Sequence, residues 1–374
     1  MKVTLDRQVF IKELGIVQRA ISSKTTIPVL TGLLIEVSEK GMILTGSDAN
    51  ITIERTISAE KLVIKETGTV VVQSKLFGEI IKKLPEDTLT LTAGKDNVVK
   101  IKSGRSNYKV NGLAGDIYPS LPETKEDKYL DIKMKDLKRL VDSTVFSTSN
   151  QESRPILTGV HLVSQNGKLL GVATDSHRLS SRVIATEGEG KDFDVVVPAK
   201  ALIDLTRSVT DPEEEMQLVF MDNQLLIKTK VMNFYTRLLE GVYPETSRLF
   251  PTKFSTEIEV SAREFLSTIE RVALVTQQGR NNIAELSIEK GKVLLRGSSP
   301  EIGKVEEVVD CEGFEGEELA ISFNPLFIKA ALSAFGDTDV KIKFTSAVRP
   351  FVLIPSKTEN DEEFSQLITP VRTN

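Results

Sequence analysis

Asp175, Ser176 and His177 stand side by side, and a carboxylate, a hydroxyl and an imidazole are the parts of a nucleophilic hydrolase. The spacing argues against that chemistry. Residues i and i+2 of a strand share a face without forming the hydrogen-bonded relay a triad needs, and no Gly-x-Ser-x-Gly turn frames Ser176. Metal chemistry is no better supplied. Cys311, His161 and His177 are all the cysteine and histidine in the chain, and Asp361-Glu362-Glu363 sits in a polar stretch of the kind that water solvates. No metal, no cofactor and no enzymatic activity are therefore expected. One cysteine also excludes an internal disulfide, and no run of 18 apolar residues is present to cross a membrane. The opening Met1-Lys2-Val3-Thr4-Leu5-Asp6 reads as a strand rather than an export leader, so a cytoplasmic location is expected.

The stronger signal is repetition. Ile27-Pro28-Val29-Leu30-Thr31-Gly32-Leu33-Leu34 recurs as Arg154-Pro155-Ile156-Leu157-Thr158-Gly159-Val160-His161, 127 residues further on. Leu44-Thr45-Gly46-Ser47-Asp48 lines up with Gly171-Val172-Ala173-Thr174-Asp175, and a fainter third copy runs from Asn282-Ile283-Ala284-Glu285-Leu286-Ser287 into Val293-Leu294-Leu295-Arg296-Gly297. Paired prolines mark extended joints at Ile117-Tyr118-Pro119-Ser120-Leu121-Pro122 and from Val242-Tyr243-Pro244 to Leu249-Phe250-Pro251. Three domains follow, 1–125, 126–251 and 252–374.

Each repeat carries two amphipathic stripes at helical spacing: Phe10/Leu14/Val17/Ile21, Phe77/Ile80/Ile81/Leu84, Leu137/Leu140/Val141/Val145, Leu202/Leu205/Val209, Phe265/Ile269/Val272 and Ile328/Ala331/Leu332/Phe335. Runs rich in Val, Ile and Thr follow them, such as Leu33–Val37, Thr69–Val72, Leu89–Leu91, Val195–Val197, Gln217–Phe220, Leu225–Lys228 and Val340–Phe344. The predicted class is α+β, with two helices per repeat packed on antiparallel sheets.

Net charge is −5, which by itself argues against a polyanionic partner, but its distribution does not. The predicted helical segments 6–22, 74–84, 135–148, 198–209, 262–278 and 323–336 hold 14 basic and 8 acidic residues, leaving −11 on everything else. With the apolar stripes turned to the sheets, Arg7, Lys12, Arg19, Lys75, Lys82, Lys83, Lys135, Lys138, Arg139, Lys200 and Arg207 would share one positive surface. Such a surface binds duplex phosphates without reading bases; there is no tryptophan, no glycine-rich phosphate cradle and no aromatic-interleaved basic stretch for single strands. The first domain carries +4, the second −3 and the third −6, which suits a head-to-tail contact between two chains that closes into a ring. Glu301, Glu306 and Glu307 facing Lys75 and Arg105 is the expected pairing.

Thr174-Asp175-Ser176-His177-Arg178-Leu179, with Arg154-Pro155-Ile156-Leu157 before it, Ser103-Gly104-Arg105-Ser106, Tyr243-Pro244 and Pro370-Val371-Arg372, resembles the bacterial sliding clamp family, the beta subunit of DNA polymerase III. The likeness spans the whole chain. It implies a homodimeric ring of six similar domains that encircles double-stranded DNA, with helices lining the hole. It also implies a peptide-binding pocket between the second and third domains. Matched motif to motif, the pocket is Leu157, Thr174, Ser176, His177, Arg178, Leu179, Pro244, Arg248, Leu249, Val348, Pro350, Ile368, Pro370, Val371 and Arg372. Lys24, Lys82, Gln151 and Lys200 fall at the family's DNA-touching positions, joining Lys12 and Arg19, while Tyr108, Val110, Leu274 and Val275 fall at its dimer contact. Implied partners, reached through short linear motifs, are the polymerase III alpha subunit, the clamp loader, translesion polymerases and mismatch-repair proteins. Ser176 replaces the family's common glycine, Thr369 a common apolar residue, and Lys24 a common arginine. Truncation after Gln366 is expected to abolish peptide binding and spare the dimer. The rival reading is a repeat scaffold that binds only proteins.

Overall fold

The computed structural model describes residues 1–120, 129–186, 192–277, 282–289, 292–357 and 363–372. Leu121, Pro122, Asp361 and Glu362 lie outside the described residues. Every predicted stripe forms a helix: α1 Arg7–Val17, α2 Ser74–Lys82, α3 Met134–Thr144, α4 Ala199–Ser208, α5 Ala262–Thr276 and α6 Pro325–Phe335. Their starts are written in the sequence. Asp6 Oδ1 accepts the Val9 N–H at 2.8 Å, Gln73 Oε1 that of Leu76 at 2.7 Å and Asn324 Oδ1 that of Leu326 at 2.9 Å, each satisfying a first-turn donor. The stripes are buried: Phe10, Leu14, Val17, Phe77, Ile81, Leu137, Leu140, Leu202, Leu205, Phe265, Ile269, Ile328 and Leu332 are almost wholly removed from solvent.

The ends differ from the periodic reading. The helix expected over 6–22 stops at Val17, continues as a 3-10 turn over Gln18–Ala20 and leaves Ile21 extended. The apolar step from Val17 to Ile21 survives because both pack over Gly46, where a β-carbon would lie 2.7 Å from the Val17 carbonyl oxygen and 2.8 Å from Ile21 Cγ1. Likewise α3 gives way to a 3-10 turn at Val145–Ser147.

The chain divides into two compact units: Met1–Lys135 with Lys200–Leu238, and Asp136–Ala199 with Leu239–Asn374. The middle repeat is thus shared, half to each. In the first unit a single antiparallel sheet runs through strands 129–133, 215–220, 224–228, 232–237, 51–58, 41–47, 32–38, 68–73, 106–113, 98–103, 88–93, 2–6 and 62–66. In the second, one sheet runs through 193–198, 159–165, 168–174, 178–185, 364–368, 351–355, 339–344, 256–261 and 313–316; another runs through 303–309, 292–299, 284–289 and 319–323.

One junction occurs twice in these orders. Strand 51–58 pairs with 232–237, Ile53 opposite Phe234; strand 178–185 pairs with 364–368, Ser180 opposite Gln366. These are the same strands of successive repeats, so the first and the second repeat each lend a hairpin strand to the next repeat's sheet. The third copy of the donor, 303–309, is an edge strand. The first copy of the acceptor, 106–113, pairs with 98–103 on one side. On the other, only Gly112 and Leu113 are paired, so among the described residues Ser106–Asn111 has an open edge.

The same hairpin strand also ties back to its helix. Arg55 Nε donates to Glu13 Oε2 of α1 at 2.5 Å, Arg182 Nη1 to Ser143 Oγ of α3 at 3.5 Å, and the partners reverse in the third repeat, where Arg271 Nε of α5 donates to Glu307 at 2.9 Å.

Candidate peptide pocket and charged helix faces

The Thr-Asp-x-His-Arg-Leu run closes the hairpin between strands 168–174 and 178–185. Asp175 Oδ1 accepts the N–H groups of His177 and Arg178 at 2.9 and 3.0 Å, and its Oδ2 accepts Arg178 Nε at 3.0 Å. Thr174 Oγ1 accepts the Ser176 N–H at 3.1 Å and donates to the Arg178 carbonyl at 2.7 Å. Ser176 is held at φ 78°, a left-handed conformation that glycine adopts without strain. The first repeat builds the same turn: Asp48 Oδ1 accepts from Asn50 and Ile51, Ser47 Oγ from Ala49, and Ala49 has φ 76°. Ser176 Oγ accepts from Arg154 Nη1 at 3.1 Å, and the His177 ring stacks on Phe327 at 6.2 Å. Asp175, Ser176 and His177 therefore address three different partners, and the run is a turn shared by repeats rather than a relay. Among the described residues no group of three or more His, Cys, Asp or Glu could hold a metal.

Behind the turn lies a compact apolar cluster. Leu157, Leu179, Tyr243, Val352 and Leu367 are buried together, with Ile156 and Phe250 half-buried against them. The Tyr243 hydroxyl accepts the Thr174 N–H at 3.1 Å, and burial pushes the phenol up to about 12 despite that bond. Ile368 pairs with Arg178 across the strands, and Thr369 donates through both N–H (2.9 Å) and Oγ1 (2.8 Å) to the His177 carbonyl. Beyond it, Val371 N–H bonds the Ser322 carbonyl at 2.7 Å. The Arg178 guanidinium sits 4.9 Å from the Phe327 ring and 5.7 Å from that of Phe146, a desolvated face for a cation. The structure thus gathers Leu157, Thr174, Ser176, His177, Arg178, Leu179 and Ile368, with Pro370 and Val371 half-buried next in the chain. Pro244, Arg248, Leu249, Val348 and Arg372 are exposed, and Pro350 is half-buried. Tyr243, Phe327, Phe146, Val352 and Leu367 belong to this region and were missed. Tyr243 had a signal, because Tyr118 precedes a proline at the corresponding joint; Phe327, one residue before the buried Ile328, had none.

The helix faces carry the expected charge with corrections. Lys12, Arg19, Lys75, Lys82, Lys83 and Arg207 are exposed and make no ion pair among the described residues, and Lys24 and Gln151 lie exposed in loops. Arg7 does not join them: half-buried, it turns back to donate to the Lys82 carbonyl at 3.3 Å and lies 3.9 Å from Asp87. Lys135 pairs with Glu213 at 2.8 Å, Lys138 with Asp142, and Lys200 approaches Asp48 and Asp204 at 3.5 Å each.

At the proposed chain-to-chain contact, Leu274 is 71% exposed and Tyr108 41% exposed, large apolar surfaces for one chain to leave in water. Val275 is half-buried, and Val110 is buried within its own unit because it alternates inward on strand 106–113. Glu306 and Glu307, expected to face Lys75 and Arg105 of another chain, also have partners within their own. Glu306 accepts Arg296 Nε at 2.7 Å, which holds its carboxyl below the usual range, and Glu307 is bound by Arg271. Glu301 takes the Ser299 hydroxyl at 2.8 Å; Lys75 and Arg105 are exposed.

Models of the N-terminal, central and C-terminal domains of the DNA polymerase III beta subunit match residues 1–122, 131–245 and 247–372. The beta sliding clamp of Streptococcus pneumoniae is 41% identical over 376 residues, covering 99% of both chains, and that of Bacillus subtilis is 40% identical over 380 residues, covering both completely. The crystal structures of the DNA polymerase sliding clamp from Bacillus subtilis and of the DNA polymerase beta subunit from Streptococcus pyogenes each superpose with a TM-score of 0.96 over all of both chains, at 40% identity. Three consecutive clamp-type domains, each mixing helix and antiparallel sheet, place this chain in the DNA polymerase III beta subunit family, the sliding clamps.

Proposed function

We propose that the chain is a processivity factor: two copies close head to tail into a six-domain ring around duplex DNA and tether the replicative polymerase. The carrying observation is the junction made twice and left open once. Among the described residues strand 303–309 has a free edge, as does 106–113 over Ser106–Asn111, and these are the third donor and first acceptor of a pairing already formed by 51–58 with 232–237 and by 178–185 with 364–368. Antiparallel addition of 303–309 of one chain to 106–113 of another would satisfy both edges and cover Tyr108 and Leu274. Domains at 1–125, 126–251 and 252–374 follow from the same periodicity. The role is non-catalytic and cytoplasmic. Lys12, Arg19, Lys24, Lys82, Gln151 and Lys200 contact phosphates, and the turn-and-cluster pocket of the second and third repeats takes peptide anchors from polymerase III alpha, the loader, translesion polymerases and mismatch-repair proteins. A Leu, Val and Tyr floor with Arg178 and His177 at the rim suits an apolar side chain beside an acidic one.

Sedimentation velocity of the purified chain tests the ring's first requirement. A dimer at micromolar concentration that Leu274→Asp converts to folded monomer supports it; a monomer at all accessible concentrations, or a dimer indifferent to Leu274 and Tyr108 substitutions, favours a scaffold.

A further inference from the structure

The turn-and-cluster arrangement occurs a second time, one junction earlier and wholly inside the first unit. A cavity of about 260 Å³ is lined by residues of the first repeat, among them Ile27, Leu30, Ser47, Ala49 and Tyr118, and by Tyr235, Thr236 and Arg237 of the strand added to it. These are the repeat counterparts of the peptide pocket. Leu30 stands for Leu157, Ser47 for Thr174, Ala49 for Ser176 and Tyr118 for Tyr243, and Thr236 stands for Ile368 because each is the residue paired with the first position of the hairpin strand, Ile51 or Arg178. Even the closing bond is repeated: Arg237 N–H donates to the Asn50 carbonyl at 3.0 Å as Thr369 N–H does to His177 at 2.9 Å.

We propose that this junction is a second peptide-docking site, for a short segment that presents one bulky apolar side chain next to a carboxylate. The proposal rests on reading the second-to-third-repeat pocket as a peptide site. Three local observations point to the occupant. The volume falls below the range of drug-sized pockets and suits one or two side chains. Arg237 is exposed on the cavity wall and makes no ion pair among the described residues, so a carboxylate would meet an available guanidinium. The buried Tyr118 hydroxyl turns toward the Ser47 backbone without closing a hydrogen bond of normal geometry, whereas Tyr243 closes its bond to Thr174; the Tyr118 phenol is thus left without a partner among the described residues. The floor is more polar than its counterpart, with Thr52 and Thr236 where Leu179 and Ile368 stand. Binding is accordingly weaker, by about tenfold, a difference of roughly 1.4 kcal/mol.

Methyl NMR of the full chain, labelled at Ile and Leu methyls and titrated with acetyl-Ser-Asp-Leu-Phe, separates the two sites. The expected result is a saturable shift of Ile27 and Leu30 at about ten times the peptide concentration that saturates Leu157 and Leu179. Arg237→Glu, at an exposed side chain, should weaken the Ile27 and Leu30 response about fivefold while leaving Leu157 and Leu179 unchanged. No saturable shift at Ile27 and Leu30 overturns the proposal whatever Leu157 does, as does a response unaltered by Arg237→Glu. Movement at Ile27 and Leu30 with Leu157 and Leu179 silent would instead retract the second-to-third-repeat reading and leave this site standing.

Discussion

At the scale of single residues, what resembles catalytic equipment is turn chemistry. Asp175 saturates two backbone donors and one guanidinium nitrogen, which fixes the Arg178 side chain against Phe146 and Phe327. Arg178→Ala should therefore weaken binding of acetyl-Ser-Asp-Leu-Phe by about tenfold with little change in melting temperature, measured by isothermal titration; unchanged affinity would remove Arg178 from the site. Gln366 shows the opposite balance. Wholly buried, it accepts the Ser180 hydroxyl at 2.6 Å and donates to the Ser143 carbonyl at 3.1 Å, so Gln366→Ala strands two polar groups and should cost about 2 to 3 kcal/mol in denaturant unfolding. Leu367 and Ile368 are buried in the same strand, so truncation after Gln366 would damage the fold along with the pocket. Removal of residues 370–374 is the cleaner test of peptide binding. Asp175 and His177 were legible as a motif but their roles were not, because sequence gives proximity along the chain and not the partner each group faces.

At the scale of elements, helices could be read because burial selects the period: all six stripes became helices, and the runs rich in Val, Ile and Thr named from the sequence all lie within strands. Their ends were harder, since a 3-10 turn preserves an apolar step such as Val17 to Ile21. The charge on helix faces was read as a sum over residue types, and local pairing modifies it. Lys82 is unpaired among the described residues while Lys200 lies between Asp48 and Asp204. Lys82→Ala should lower the slope of log affinity for duplex DNA against log salt by about 0.9 in magnitude, and Lys200→Ala by less; equal effects would mean that those aspartates do not compete with phosphate. Strand pairing also carries a pH dependence. Burial raises the Glu257 carboxyl, but hydrogen bonds from Lys343 and Lys341 outweigh it and hold the group below its ordinary value of 4.5. A depressed folded value means stability that is present above about pH 4.5 and lost as pH falls through the folded value. Glu257→Gln should flatten the acid limb of the stability profile below about pH 4.5. A limb as steep as the parent's would assign that loss to other carboxylates.

At the scale of the whole molecule, the repeat was visible as Pro-x-Leu-Thr-Gly and Asp-turn echoes. That one repeat's strand completes the next repeat's sheet was not, because register between distant strands leaves no local pattern. That junction turns three copies into an argument for closure, and it gives the one open edge that strands 303–309 and 106–113 each keep among the described residues a common purpose. The central claim is topological, so the decisive measurement is topological too. Loaded by the matching loader and ATP onto a nicked circular duplex, the protein should remain bound through a wash at about 1 M salt, where electrostatic contacts are screened beyond about 3 Å. It should leave when that circle is cut once. Loss in the salt wash, or retention on the linear product with both ends free, would contradict encirclement.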